Sequence, residues 1–421
     1  MSYTAVVAPA SVRPHPNADR LQLATVKGYQ VVVGLDVQEG DLGVFFAADG
    51  QLSEEMCAAN DLIGYTDPDT GEKKGGFFGK NRRVRAQKFR GEKSDGYWTS
   101  LSSFSWTGIN LSDLTEGTQF TELNGVPICN KYFTPATLRA MRGQQPSQKR
   151  ENKCFPKHVD TAQLKHEVQS IPANSIVYVT EKVHGTSGRF GYVPELSPVP
   201  RKWYQKLFRR PEQTEQVWKH LNGTRNVVMA DHSHEGFYGN EEFRYNSVKP
   251  LEGNLFKGEV VYFELVGYTT TGANIMSNHD TSDLKEIKKK YGPFMEYKYG
   301  QLYGTTGLYV YRITRSNEDG QVTELPWNQV KARCRELGVN HVPEMAFLIH
   351  DGYAETLMAL ADDLMDGPST LDESHIREGV VFRCELPDGE TKFFKSKSWT
   401  FGVLEGYLKN TDDYVDLEEA S

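Results

Sequence analysis

The apolar residues of this chain fall in short runs, and that constrains its architecture more than any other feature. Within residues 1 to about 125, "YTAVVAP", "LQLATV", "YQVVVGL", "LGVFFAA" and "RRVRAQKF" follow one another, separated by turns containing Gly, Asp or Pro. Closely spaced runs with little helical periodicity between them predict a small β-barrel. With 421 residues, the chain exceeds the size at which one core stops growing, so a second domain is expected. From about 126 to 160 the pattern breaks into "TPATLRAMRGQQPSQKRENKCFPKH", polar and basic, which reads as a linker. Residues 161–421 mix strands with helices. "NSIVYVTEK", "EVVYFELVG", "GLYVYRIT", "EGVVFRCE" and "TKFFKSKSW" read as strands, "DTSDLKEIKKKYG" and "LPWNQVKARCRELG" as helices. The expected class is α+β, with antiparallel sheets and flanking helices.

Composition narrows the function classes. Hydrophobic content of 38% with 25% charged residues is that of a soluble globular protein, and the net charge of −8 argues against indiscriminate coating of nucleic acid. Partners must therefore be sought in local patches. Five scattered cysteines without a Cys-x-x-Cys pair suggest neither a disulfide framework nor a zinc cage. No secretory pattern and no membrane-length apolar run is visible, so a cytoplasmic, intracellular protein without membrane contact is expected.

In the barrel segment, "VRPHPNADRLQLATVKGYQVVVGLDVQEGDLGVFF" resembles the opening of OB-fold tRNA-binding modules, which makes the OB type the expected barrel. The chemistry is expected downstream. "TEKVHGTSGRF" places Lys182, His184 and Gly185 in a turn directly after a strand, where reactive groups are often displayed. Alone, the stretch reads as a hairpin with an exposed lysine. Four further patterns follow in order: Glu264 in "VVYFELVG", Tyr309 and Tyr311 in "GLYVYRI", Glu378 in "REGVVF", and Lys395 and Lys397 on one strand face in "FKSKSW".

Together these patterns resemble motifs I, III, IIIa, IV and V of the covalent nucleotidyltransferases, the superfamily of polynucleotide ligases and mRNA capping enzymes. Lys-x-His-Gly-Thr is similar to the first motif of ATP-dependent RNA ligases of the nick-sealing type with an N-terminal OB module. Ser187 stands where those ligases usually carry Asn. The resemblance implies Lys182 as the nucleophile that attacks the α-phosphorus of ATP and holds AMP as a phosphoramidate, its pKa lowered by burial and neighbouring cations. Lys395 and Lys397 would face the negative charge that builds on the phosphates. Glu378 and Glu264 would hold Mg²⁺ (or Mn²⁺) through its waters or bind the ribose hydroxyls. Tyr311 would stack on adenine, with Tyr309 as second choice. Glu181, His184, Gly185 and Arg225 complete the expected nucleotide site, Arg225 because "NGTRNVVM" resembles the Ser-Arg-Asn element after motif I.

Two basic–aromatic segments are candidates for the polynucleotide: "KNRRVRAQKFRGEK", with Arg83, Arg85 and Lys88, and "RKWYQKLFRR", residues 201–210. A solvated strand edge and an amphipathic helix explain them equally well. His232 and His234, without a third ligand nearby, read as a loop rather than a metal site. Only 24 residues follow Lys397, too few for the C-terminal OB domain of capping enzymes and DNA ligases. The expected activity is joining of a 3′-hydroxyl RNA end to a 5′-phosphate through lysyl-AMP and an adenylylated polynucleotide, by a monomer acting on nicked or broken RNA. The alternatives are a GTP-dependent capping guanylyltransferase and a non-catalytic RNA-binding protein of the same fold.

Overall fold

The structure, a computed structural model, describes residues 3–48, 50–66, 73–133, 152–159, 161–198, 214–229, 235–236, 239–240, 242–281 and 284–405. Segment 201–210 and His232 and His234 lie outside these residues. The chain divides into two compact units, Met1–Arg139 with Gly402–Ser421, and Ala140–Phe401.

The first unit is built of the short runs read from the sequence: β1 (Ala5–Pro9), β2 (Ser11–Pro14), β3 (Leu21–Val26), β4 (Tyr29–Gly34) and β5 (Leu42–Ala47). Further along come β6 (Gln87–Phe89), β7 (Glu92–Ser94), β8 (Gly96–Ser100) and β9 (Gln119–Phe120). Strands β3 and β4 meet in a two-residue hairpin. Lys27 and Gly28 both have positive φ there, 48° and 78°, as the favoured hairpin turns require. Among the described residues the strands form separate sheets, a four-stranded one ordered β8-β5-β1-β9 and a three-stranded one ordered β2-β3-β4, and no closed barrel. Val7, Val44, Phe46 and Phe104 centre one core, and Ala24, Val31, Phe45 and Trp98 a second.

The expected strand "RRVRAQKF" is corrected by the structure. Arg82 closes a turn onto Gly79 with φ 54°, and regular pairing begins only at β6. Arg83 is 8% exposed, its guanidinium stacked 4.4 Å above the Tyr132 ring. Arg83, Arg85 and Lys88 therefore do not share one continuous basic strand.

Among the described residues the second unit contains two large antiparallel-dominated sheets. One joins β10 (Ala162–Gln163), β11 (Ile176–Glu181), a later strand β18 (Glu344–Ile349), β19 (Gly379–Glu385) and β20 (Thr391–Lys397) in the order β10-β20-β19-β11-β18. The other runs β13-β12-β14-β15-β16, formed by β12 (Thr186–Pro198), β13 (Thr214–Thr224), β14 (Glu259–Gly267), β15 (Thr306–Ser316) and β16 (Val322–Glu324). Strand β17 (Asn340–His341) pairs with β15 in parallel. Strand β14 is covered on both faces, so it reads as a nearly unbroken apolar run, with Glu264 its only residue not fully buried.

The helices that flank the sheets include α1 (Glu242–Val248), α2 (Lys285–Tyr291), α3 (Trp327–Leu337) and α4 (Ala354–Leu364). In α3, Trp327, Val330, Cys334 and Leu337 make the buried stripe, and Gly338 stops the helix in the left-handed conformation at φ 67°. Helix α4 packs Leu357 and Ala361 onto Val177, Val179, Val380 and Phe382. No helix among the described residues is long and apolar enough to cross a membrane.

Candidate active site

Lys182 follows the last residue of β11 and is fixed by backbone bonds on both sides. Its N–H donates to Gly379 O at 2.9 Å, and that of Glu181 to Pro343 O at 2.9 Å. Gly185 lets the turn pass flat against β14. A Cβ there would lie 2.3 Å from Leu265 O and 2.9 Å from Glu264 Cγ, closer than any side chain tolerates.

Glu378 is the centre of the site. Its side chain is 6% exposed, and its oxygens meet Lys182 Nζ at 2.6 Å, Lys397 Nζ at 2.8 Å and His184 Nδ1 at 3.4 Å. Burial alone would raise its pKa, but Lys182, Lys397 and His184 outweigh it and hold the carboxyl well below the usual range. Lys395 lies two residues before Lys397 and experiences the opposite balance. Burial, then repulsion from Lys397, Lys182 and Arg225, lowers its pKa to about 8.

Glu264 lies opposite Ser187 across β12–β14 and opposite Tyr309 across β14–β15. Ser187 Oγ donates to Glu264 Oε2 at 2.9 Å, so serine has a defined carboxylate contact at this departure from the expected motif. Burial raises Glu264 to about 7, with Lys182 and Ser187 opposing the shift. Tyr311 is the extra residue of a β-bulge: Tyr262 pairs with Arg312 and Phe263 with Val310, leaving Tyr311 between them. Bulges re-aim side chains beside sites. The Tyr311 hydroxyl interacts with Ser187, and burial followed by Glu264 raises its pKa. His158 packs edge-on to its ring at 4.9 Å. Tyr309 is buried, with Gln301 as a side-chain hydrogen-bond partner.

The structure thus brings Lys182, His184, Gly185, Glu264, Tyr311, Glu378, Lys395, Lys397 and Arg225 around one centre. Glu181 is there too, but 1% exposed. Its carboxylate accepts from Ser369 Oγ at 2.6 Å and from Thr370 N and Oγ1 at 2.8 and 2.5 Å. Arg83, Arg85 and Lys88 belong to the other unit.

Two supporting residues escaped the sequence reading. Arg244 of α1, 4% exposed, donates to Ser187 O at 3.2 Å and Thr186 Oγ1 at 2.6 Å. Tyr299, 1% exposed with φ 53°, accepts the His184 N–H on its hydroxyl at 2.7 Å. Neither sits in a recognisable motif. The alternation in "EYKYG" was the one available signal for Tyr299.

A family model described as RNA ligase matches residues 175–397, which include every residue of this centre. It spans more than half of the chain, and the chain belongs to the RNA ligase family. Among solved structures it is similar to Naegleria gruberi RNA ligase with PPi: 19% identity, TM-score 0.61, 95% of this chain and 97% of that one. A lysine-to-alanine mutant of the same enzyme with ATP and Mn matches at 18% identity and TM-score 0.60, covering 97% of this chain and 99% of that one. A lysine-to-methionine mutant with AMP and Mn matches at 20% and 0.60, covering 96% and 98%. At these identities the likeness speaks for the fold. No curated protein matches the chain in sequence.

Proposed function

We propose that the chain is an ATP-dependent RNA ligase acting through a lysyl-AMP intermediate on Lys182, with an N-terminal OB-type nucleic-acid-binding module. The observation that carries the reading is Glu378 bridging Lys182 and Lys397 at 2.6 and 2.8 Å beside the Ser187–Glu264 pair. It gathers a lysine amine, two further cations and two carboxylates drawn from both large sheets of the second unit.

In the first step Lys182 Nζ attacks the α-phosphorus of ATP, losing a proton as the P–N bond forms and pyrophosphate leaves. Lys395 and Lys397 oppose the charge that accumulates on the phosphates, and Arg225 adds to the same field. Tyr311 offers its ring to adenine. Glu181, His184 and Gly185 shape the turn that presents the amine. In the second step a 5′-phosphate oxygen takes AMP from the lysine, breaking the P–N bond. In the third, a 3′-hydroxyl attacks that 5′-phosphorus and AMP departs, which seals the break or nick.

A divalent metal fits the donor set. Among the described residues no group of three or more His, Cys, Asp or Glu side chains is arranged as a metal cage. Two carboxylates, Glu378 and Glu264, suit Mg²⁺ or Mn²⁺ that keeps most of its waters. When bound, the metal neutralises phosphate charge.

The test is incubation of the full chain with labelled ATP or GTP and Mg²⁺. Acid-labile, alkali-stable protein label from ATP is expected, lost in Lys182→Ala, while that variant still seals a pre-adenylylated strand. Label from GTP alone would point to a capping enzyme. Equal loss of both activities would remove Lys182 as the nucleophile.

A further inference from the structure

The segment between β14 and β15 faces two ways. From 294 to 300 its side chains alternate: Met295, Tyr297 and Tyr299 are buried, whereas Phe294 is 63% exposed and Lys298 is partly exposed. The inward set reaches the active centre. Tyr297 packs edge-on to His184 with ring centroids 4.8 Å apart, and Tyr299 takes the His184 N–H. The outward set runs on into a turn where Leu302 and Tyr303 are each 78% exposed, the Tyr303 ring 5.3 Å from that of Tyr268. Just before the segment, α2 ends in exposed Lys288, Lys289 and Lys290.

Two physical facts mark this surface. Residues 285–303 carry five lysines against two glutamates, on a chain whose net charge is −8. Alongside them, two aromatic rings, Phe294 and Tyr303, and the aliphatic Leu302 are held in water by a backbone that is tied down from within. Polyanions neutralise the first feature, and flat bases cover the second.

We propose that this outer surface, Lys288–Lys290 with Phe294, Leu302 and Tyr303, docks the RNA strand on which Lys182 acts. The inference rests on the RNA ligase reading and extends it from the nucleotide to the polynucleotide. Phosphates lie along the α2 lysines and a base stacks on Tyr303. Because Tyr297 and Tyr299 belong to the same segment, RNA held outside is tied directly to the turn that carries the nucleophile.

The test uses full-length protein in two variants, Leu302→Ser with Tyr303→Ala, and Lys288→Ala with Lys289→Ala and Lys290→Ala. All five side chains are exposed, and none belongs to the nucleotide site. Binding of a 5′-phosphorylated single-stranded RNA oligonucleotide is followed by fluorescence anisotropy at two salt concentrations, alongside ATP labelling. The aromatic variant is expected to bind about tenfold more weakly with an unchanged salt slope. The lysine variant should show a slope shallower by about two, since each phosphate neutralised on a single strand contributes roughly 0.7. ATP labelling should be unchanged in both. RNA affinity and slope within twofold of the parent would overturn the proposal and leave the surface to a protein contact. A parallel loss of ATP labelling would overturn it as well, since labelling needs no RNA. If the parent is labelled by ATP and both variants bind RNA as it does, this inference fails alone; if the parent neither labels nor binds RNA, both readings fall.

Discussion

At the scale of single residues, the cations around Glu378 are not equivalent. Lys182 and Lys397 both pair with that one carboxylate, whereas Lys395 is half-buried, and that desolvation together with the cations around it lowers its pKa to about 8. Its ammonium form is the one that can face phosphate. As pH rises through about 8 the proton is lost, so kcat/KM for adenylylation, which reports the free enzyme, should fall on an alkaline limb with an apparent pKa near 8. Lys395→Arg should move that limb beyond the accessible range while restoring only part of the rate, because a planar fork is not a point charge. A limb unchanged in the arginine variant would assign it to another group. Lys395→Ala or Lys397→Ala should lower the adenylylation rate by about 10²-fold or more, the scale of one preorganised donor, as measured by single-turnover labelling. The sequence placed these lysines on one strand face by their spacing. It could not reveal which would be paired, because Glu378 reaches them from the neighbouring strand.

At the scale of elements, the two sheets of the second unit are joined by buried charge. Arg312 of β15 donates to Glu324 of β16 at 2.8 Å, and Arg383 of β19 meets Glu385 at 3.1 Å and Glu324 at 3.6 Å. Glu385 also accepts the Trp327 N–H at 2.6 Å, capping α3. Arg312 and Arg383 both sit against Phe393, two residues before Lys395 on β20. Removing one member of such a cluster leaves a buried charge uncompensated, which costs about 3 kcal/mol or more. Glu324→Gln should therefore lower stability on that scale in urea unfolding; a loss below about 1 kcal/mol would mean that the cluster relaxes around the change. Strands β15, β19 and β20 and helix α3 were legible from apolar periodicity, whereas β16, with Glu324, was not. The β14–β15 bulge was not, since one extra residue in a ladder depends on its partner strand rather than on local propensity.

At the scale of the molecule, the first unit should serve the polynucleotide rather than the nucleotide. Arg85→Ala with Lys88→Ala in the full chain should weaken nicked-duplex binding and reduce its salt slope by up to about two, one for each phosphate left without its cation. ATP labelling should not change. Binding that keeps its parent salt dependence would give these residues another role. Arg83, stacked on Tyr132 and 8% exposed, is better left in place, because its truncation would also remove packing. By itself, the sequence determined several strand positions, the α+β class and the residue types gathered around Lys182, because period-two apolar patterns and short motifs are local properties of a chain. Only the tertiary structure decided what those residues touch. Glu181 is held by Ser369 and Thr370 from 188 and 189 residues away, His184 by Tyr299 from 115, and Glu264 by Ser187 from 77. No local pattern encodes such pairings, since hydrogen bonds between distant segments arise only when the packed sheets bring donor and acceptor together and exclude the water that would otherwise satisfy them.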